Sequence, residues 1–576
     1  MLYSSFHSRH HLLFWNRLKL NLPEFILLGS TAFLQFYRLG VGEIQPWDES
    51  LYLIRANACT RFGAWFDQTQ YVIGGLYSST HPPLVVWMMA LLRVWVGEEV
   101  FVSRIVAALA SIVTVIFLYK LARKLFYRET ALLLTISLGS AQTFIWYGHH
   151  AQLDAPLLAL LVTTLFYTYR AITETNSKLA ALAGFLFGCA LMTKAYQGLY
   201  ILPILLALPF VMKPAKGIRL LTIIATTACI VSLPWYIYMA VQHPDFIAVY
   251  VNLFGSMKSG TYSIHSNSHW WYYINQSLIN LPLLALGIPF MSRIPQEWKN
   301  RSSVREKLYL CSILWFVGML VLLSVLKTRM PHFEMFLLAP ASLLLGFWID
   351  DLVKNNGHNI SQTVSFLLVI AALVWSSSEL LRIGLRVGYL PQWPRPEIVL
   401  SCSLLFFFFL AIFLLRSVPL ALQRNTLRLI QCAASLILAL GFTRIYATND
   451  EAFNDGAVIT ANTLISLKTV HSLTVYCDDY PHESYLPQLN YYTQGWLLGW
   501  DSTHIGYTET WSACDSLLRN GKILKTDAAI LYTSWDDFYS PSENEKSLQI
   551  RMRNGLKAMY VNSLSTKKYQ LYWDSK

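Results

Sequence analysis

Charge is what this sequence has least of. Only 14% of its 576 residues are Asp, Glu, Lys or Arg, against 55% hydrophobic, and the mean hydropathy is +0.40. That balance excludes a soluble globular chain, which could not hide so much apolar surface; lipid as solvent removes the difficulty. Acids are scarcer than bases, 33 against 45. Residues 447–576 hold 15 acidic and 11 basic side chains, net −4, which leaves +16 on residues 1–446. Bases in short loops between apolar runs suit orientation and anionic lipid, and argue against nucleic acid as a partner. There is no P-loop, no GxGxxG, no low-complexity tract and no internal repeat. The start, MLYSSFHSRHHLLFWNRLKLNLPE, has no small-residue cleavage site before the first long apolar run, so that run is expected to act as an uncleaved signal. Cysteines number eight. Cys189, Cys229, Cys311, Cys402 and Cys432 fall in apolar runs and read as small fillers, with Cys59 in the first loop. Cys477 and Cys514 stand alone in the polar tail: an oxidising compartment would let them pair, a reducing one would leave two thiols.

What is there is a series of apolar runs near membrane-spanning length. They lie near 23–41, 101–121, 130–147, 155–170, 179–194, 198–212, 218–240, 272–291, 307–326, 333–349, 361–381, 397–415 and 427–446, thirteen in all. A further run at 82–97 is short, opens with two prolines and contains Arg93. If it lies along the interface, the segments KLARKLFYR, KPAKGIR, RIPQEWKNRSSVREK and RSVPLALQRNTLR all share the side of the basic N-terminus, as the positive-inside rule requires. If it spans, most of them are outside. The interfacial reading follows, although LLRIGLRVGYLPQWPRPE stays basic on the outer side. The expected fold is therefore a polytopic α-helical membrane protein with about 13 transmembrane helices over residues 1–446 and an interfacial helix in a first outer loop, 42–100. A soluble C-terminal domain follows over 447–576. Its strand-like pieces SLTVYCDD, AAILYTSW and KYQLYW suggest a small α/β unit.

This topology gathers the sparse carboxylates at one face. Asp48 and Glu49, in IQPWDESLYLIRANA, follow the first span on the outer side. Asp after Pro-Trp can cap the next helix, with Glu49 favouring the same dipole end, and the local sequence alone favours that reading. Asp154, in WYGHHAQLDAPLLALLV, opens another span on the same side, with Pro156 in the first turn. Two isolated acids at one level of an acid-poor membrane chain point instead to a polar cavity. Cations lie at that level too: Lys194 in GCALMTKAYQGL, Lys327 and Arg329 in VLKTRMPHFEMFLLAP, and the imidazoles of His81, His265 and His269. Singly, each reads as a snorkelling or interfacial side chain. Together they make an outward-facing site with carboxylates for proton removal and cations for an anionic group. Outside the cytoplasmic membrane an activated sugar is carried on a polyprenyl phosphate. Such a donor needs cations at its leaving phosphate and a single base for the acceptor, which implies one inverting displacement.

At this point the sequence resembles a known family. The run RLGVGEIQPWDESLYLIRANA, then STHPPLVVWMMALLRVWVGEEVFVSRIVAALASIVTVIFLYKLARKLF, is similar to the opening of the protein O-mannosyltransferase and aminoarabinose (undecaprenyl-phosphate) transferase group, which are GT-C-type glycosyltransferases using polyprenyl-phosphate sugars. The family's first-loop Asp-Glu matches Asp48–Glu49, its Pro-Pro-Leu helix matches Pro82–Leu84, and its next-span Arg matches Arg104. Further on, D-x-x-L matches Asp154 and Leu157, T-K matches Thr193–Lys194, and a Lys before a proline-bounded apolar run matches Lys327 to Pro340. The resemblance covers about 350 residues. It implies Asp48 as catalytic or acceptor-orienting carboxylate with Glu49 and Asp154 in the same group. Lys194, Lys327, Arg329 and His81 would hold the donor phosphate, and Tyr52, Arg55, His265 and His269 would line an acceptor or sugar pocket. The resemblance fixes no cofactor, and His265 or His269 could hold a divalent metal. Many members carry Lys before Pro-Pro, where this chain has His81, and some carry Glu one position earlier, where it has Thr80. The implied partners are a polyprenyl-phosphate sugar donor, membrane lipid, and a glycolipid, protein or glycan acceptor. The implied location is the inner (cytoplasmic) membrane, with the N-terminus cytoplasmic and the C-terminal domain periplasmic. The competing readings are a transporter or flippase of a lipid-linked sugar, which would show inverted repeats, another GT-C enzyme of surface polysaccharide, and a non-catalytic relative.

Overall fold

A computed structural model describes residues 22–45, 48–72, 74–97, 99–212, 214–259, 269–286, 304–327, 329–354, 437, 444, 456–477, 487–500, 503, 505–510, 518, 520, 525–532, 543–566 and 568–574. Its membrane part is helical. The helices are α1 (Leu22–Phe36), then α2 (Asp48–Phe62), α3 (Leu84–Val96), α4 (Val100–Leu125), α5 (Arg128–Gly139), α6 (Gln142–Gly148) and α7 (Asp154–Glu174). They continue with α8 (Ser177–Leu191), α9 (Ala195–Gly198), α10 (Leu202–Met212), α11 (Pro214–Gln242), α12 (Phe246–Ser259), α13 (Tyr272–Asn280), α14 (Val304–Val325) and α15 (Pro331–Lys354). Among the described residues five helices are long and apolar enough to cross a membrane: α4, α7, α11, α14 and α15. The expected runs at 361–381 and 397–415, and nearly all of 427–446, lie outside the described residues.

Two expected spans are divided. The run 130–147 is α5 and α6, broken at Ser140–Ala141 just after Gly139, where Gly and Ser are poor helix formers. The run from 272 ends as a helix at Asn280, because Pro282 cannot donate to the next turn, and continues as a 3-10 turn, Pro282–Leu286. The run at 82–97 forms the short helix α3. Thirteen residues of α3 extend about 20 Å, short of a hydrocarbon core of about 30 Å. One side of α3 buries Val85, Val86, Met89 and Ala90, while Val94, Trp95 and Val96 are exposed.

In lipid, helices associate by close packing rather than by expelling water, so small residues mark their contacts. Gly184 and Gly188, one turn apart on α8, face α11. A Cβ on Gly184 would stand 2.5 Å from the Ile224 carbonyl, and one on Gly188 2.6 Å from Val231 Cβ. The main core joins α4, α7, α8, α10, α14 and α15 through side chains such as Leu118, Leu158, Phe187, Leu205, Trp315 and Phe336.

Beyond residue 455 the chain forms a five-stranded sheet: β1 (Ser472–Cys477), β2 (Ile505–Thr510), β3 (Ala528–Tyr532), β4 (Asn562–Ser565) and β5 (Tyr569–Trp573). The spatial order is β2-β1-β3-β5-β4. β1 is parallel to both β2 and β3, whereas β5 is antiparallel to β3 and β4. Helices α16 (Ala457–Ser466), α17 (Pro487–Tyr492) and α18 (Glu543–Met559) accompany it. Leu464 and Leu489 share an apolar cluster with Val475 and Ile530, while Met552 and Leu556 of α18 share a separate one with Tyr476 and Leu531. The side chain of Cys477 and the whole of Cys514 lie outside the described residues.

Candidate active site

Helix α2 carries one face of the site. Asp48, Tyr52 and Arg55 are spaced four and three residues apart, which stacks them along one side of the helix. Asp48 is half-buried, and Tyr52 and Arg55 are fully buried. The Tyr52 ring lies 6.3 Å from that of His81. Its hydroxyl is pushed well above the usual range, by burial first and then by the charges of Asp48 and Asp154. Both carboxylates therefore bear on one point, although 106 positions separate them in the chain.

Asp154 opens α7 without capping it; the N-cap is Leu153. Its carboxylate instead holds Lys194 Nζ at 3.0 and 2.9 Å, with both side chains buried. The sequence reading assigns Lys194 to the donor phosphate, and its pair with Asp154 limits what it can offer there. Two of its three N–H bonds point to Asp154, leaving one for a ligand.

Arg55 is a buried cation whose hydrogen bonds go to no acid. Its Nε and Nη2 donate to Gln68 Oε1 at 3.2 and 2.9 Å, and Nη2 also donates to the His81 carbonyl at 2.8 Å. Gln68 is itself fixed by donating to the carbonyls of Ala64 and Trp65. Burial lowers the guanidinium to about 10, against the opposing pull of Tyr52, Cys59 and Asp67, so it stays charged at neutral pH. Arg55 Nη1, Tyr52 Oη and His81 Nδ1 are all buried with no hydrogen-bond partner among the described residues.

His81 departs from its expected role as a cation. Burial first, then the neighbouring Lys194, Arg55 and His332, hold it well below the usual imidazole range. At neutral pH it is an uncharged N–H donor.

Glu49 departs further. The sequence groups it with the catalytic carboxylates, but all its lone pairs are engaged. Arg104 donates Nε to Oε1 at 2.7 Å and Nη2 to Oε2 at 3.0 Å. Backbone N–H groups of Ala151 and Gln45 add one bond to each oxygen, both at 2.8 Å. Burial alone would raise its pKa; Arg104, His150 and these bonds outweigh that and hold it at about 2. Arg104 also donates to the carbonyls of Leu39, Val41 and Glu43. The pair is scaffold: it ties the first turn of α2 to α4 and to the 149–153 turn. Glu49, by taking the Gln45 N–H, also holds the segment that leads into α2.

The 326–332 turn reaches the same end of the molecule. His332 stacks edge-on to Tyr147, ring centroids 6.2 Å apart, and its charge bears on His81. Lys327 is exposed at this turn, and Arg329 is half-buried with Nη2 3.4 Å from the Ser324 carbonyl. His269 is exposed with its ring stacked on Trp271, and His265 lies outside the described residues. Among the described residues no three His, Cys, Asp or Glu side chains gather as a metal-holding group. Sequence reasoning missed Gln68, Tyr147 and His332. Only His332 had a signal, as part of an outer turn already rich in cations.

The comparisons with known proteins can be set beside this geometry. Residues 80–240 match the dolichyl-phosphate-mannose-protein mannosyltransferase family. The undecaprenyl phosphate-α-4-amino-4-deoxy-L-arabinose arabinosyl transferase 1 of Pseudomonas fluorescens is 27% identical over 368 residues, covering 60% of this chain and 64% of that protein. The corresponding transferase of Yersinia enterocolitica is 26% identical over 399 residues, 64% of this chain and 68% of that one. The chain thus spans under two thirds of the length of the first of these relatives. The crystal structure of ArnT from Cupriavidus metallidurans bound to undecaprenyl phosphate superposes with a TM-score of 0.63 at 14% identity, covering 95% of this chain and 97% of that one. Its apo state gives 0.60. The fold and site define a polytopic membrane protein of the GT-C type. Within that class the chain is similar to the aminoarabinose transferases and protein O-mannosyltransferases, which bears out the resemblance read from the sequence.

Proposed function

We propose that this protein is a glycosyltransferase that moves a sugar from a polyprenyl-phosphate donor to an acceptor at the outer face of the cytoplasmic membrane. Residues 1–446 form the transferase domain, with the N-terminus cytoplasmic, and residues 447–576 an extracytoplasmic domain. The observation that carries the reading is the buried Arg55 guanidinium, which has no carboxylate among its hydrogen-bond partners and shares the neighbouring Tyr52 with the carboxylates of Asp48 and Asp154. A buried cation without an acidic partner is costly unless an anion comes to it. The donor phosphate is that anion, with Arg55, the remaining N–H of Lys194 and the neutral His81 as its donors and Lys327 and Arg329 at the entrance. Arg55 thereby moves from the sugar pocket to the phosphate. Asp48 takes the proton of the acceptor hydroxyl or amine. The acceptor atom attacks the anomeric carbon, and the carbon–oxygen bond to phosphate breaks on the opposite side, inverting the centre. Asp154 acts through Lys194. The relatives' names favour aminoarabinose, a pentose, as the sugar and name no acceptor. A flippase would need no base beside the phosphate site.

Mass spectrometry of glycolipids and envelope glycans from cells with and without the protein tests this. One sugar-mass addition should vanish from one acceptor class in its absence, and identical profiles would overturn the reading. His81 adds a pH signature. A phosphate beside the neutral imidazole raises its pKa, so donor binding takes up a proton and tightens as pH falls. The Kd for the polyprenyl-phosphate sugar, a diester that gains no proton of its own near neutral pH, should therefore decrease as pH falls below neutral, and His81→Gln should flatten the profile. A wild-type Kd independent of pH would remove His81 from the phosphate site.

A further inference from the structure

The N-terminus of α16 has no side chain of its own to satisfy its first N–H groups, because its N-cap is Gly456. Gly456 is at φ +91°, and a Cβ there would strike Thr566 at 2.2 Å, so no capping Ser or Asp fits. The cap comes from the other end of the chain. Glu43, buried in the loop between α1 and α2, accepts from the N–H groups of Gly456, Ala457 and Val458 at 3.1, 3.2 and 3.0 Å. Gln488 of α17 donates to the same carboxylate at 3.3 Å and to the Ile44 carbonyl at 2.7 Å, while the Ile44 N–H donates to the Tyr492 hydroxyl at 2.9 Å. The Glu43 carbonyl in turn takes a bond from Arg104, whose other contacts are Glu49 and the backbone at 39 and 41. Elsewhere Trp500 Nε1 donates to the Tyr71 carbonyl at 3.1 Å, and the Trp500 ring meets Phe62 at the end of α2. The first outer loop is thus held from below by Arg104 and from above by the C-terminal domain, five residues before Asp48.

We infer that Glu43 is a positioning residue for the transfer reaction: through it the C-terminal domain clamps the first outer loop and fixes where Asp48 stands. The inference rests on the proposed role of Asp48. A negative carboxylate at a helix N-terminus is favoured by the dipole as well as by its hydrogen bonds. Glu43→Gln keeps the shape but turns an NH2 toward N–H groups, so the clamp opens. A base misplaced by an ångström loses rate, whereas the phosphate donors on Arg55, His81 and Lys194 are untouched.

The test uses full-length protein in nanodiscs. Glu43→Gln should raise deuterium uptake over residues 39–50, lower kcat about tenfold and leave the KM for the polyprenyl-phosphate sugar within about twofold. Gln488→Ala, made from the C-terminal side, should move the same quantities by less and serves if Glu43→Gln does not fold. Raised uptake with unchanged kcat would reduce the clamp to a structural contact and overturn the inference. Unchanged uptake would do so too, as would a KM that rises with kcat intact. Wild-type protein without any transfer activity would defeat the proposed function instead, while the uptake measurement would still report on the clamp.

Discussion

Asp48→Asn is expected to abolish sugar transfer while leaving the protein folded and able to bind its lipid donor. The Asn side chain has the same shape and cannot take a proton. General-base catalysis is worth about 10²–10⁴-fold, so kcat should fall by at least that much. Stability should hold because Asp48 is half-buried and forms no hydrogen bond or ion pair recorded among the described residues; such positions change stability by about 0.5 kcal/mol or less. Donor affinity should hold because the groups assigned to the phosphate are Arg55, His81 and Lys194. The contrast is Asp154→Asn, which strands the buried ammonium of Lys194 and so should weaken folding and donor binding together. Transfer rates, undecaprenyl-phosphate binding and thermal melting of the two variants separate the roles. An Asp48→Asn protein with wild-type kcat would remove Asp48 from the mechanism as the base.

Much of this arrangement could be read from residue order alone. Hydropathy and loop charge placed Asp48, Asp154, Lys194 and the 326–332 turn at one level, and in the fold their side chains or near neighbours bear on Tyr52, Tyr147 and His81. Pairing was not legible. Adjacent helical residues point about 100° apart, so Asp48 and Glu49 must face different surroundings, and only the packing of α2 on α4 decides which one meets Arg104. The partner of Lys194 could not be read because it lies 40 positions away. Glu43 carried no signal, since its partners are backbone N–H groups more than 400 positions on. The sheet shows the same limit. The three recognised strands are β1, β3 and β5, the interior of the sheet, where burial demands apolar side chains. The two missed, IGYTET and NSLS, are its edges β2 and β4, where one side needs no partner and the composition stays polar.

The second large effect is expected at Glu49, and on stability rather than on chemistry. Glu49→Gln leaves the buried Arg104 guanidinium without its counter-charge, and breaking a buried pair from one side costs about 3–5 kcal/mol. A second change that removes the stranded charge, Arg104→Met, should recover part of that loss. The double variant would then melt above the sum of the single effects, which is the signature of direct coupling. Arg104→Met also frees the carbonyls of Leu39, Val41 and Glu43, so recovery should be incomplete. The pH dependence has a definite sign. Glu49 is lowered from an ordinary 4.5 to about 2 in the folded protein, so its stabilisation is complete above about pH 4.5 and disappears as pH falls toward 2. Glu49→Gln should therefore lose the part of the acid destabilisation that wild type shows over that interval. Melting temperatures of the four proteins between neutral pH and pH 3 would measure both. If Glu49→Gln melts with wild type at every pH, the Glu49–Arg104 pair does not hold the loop, and Asp48 is placed by other contacts.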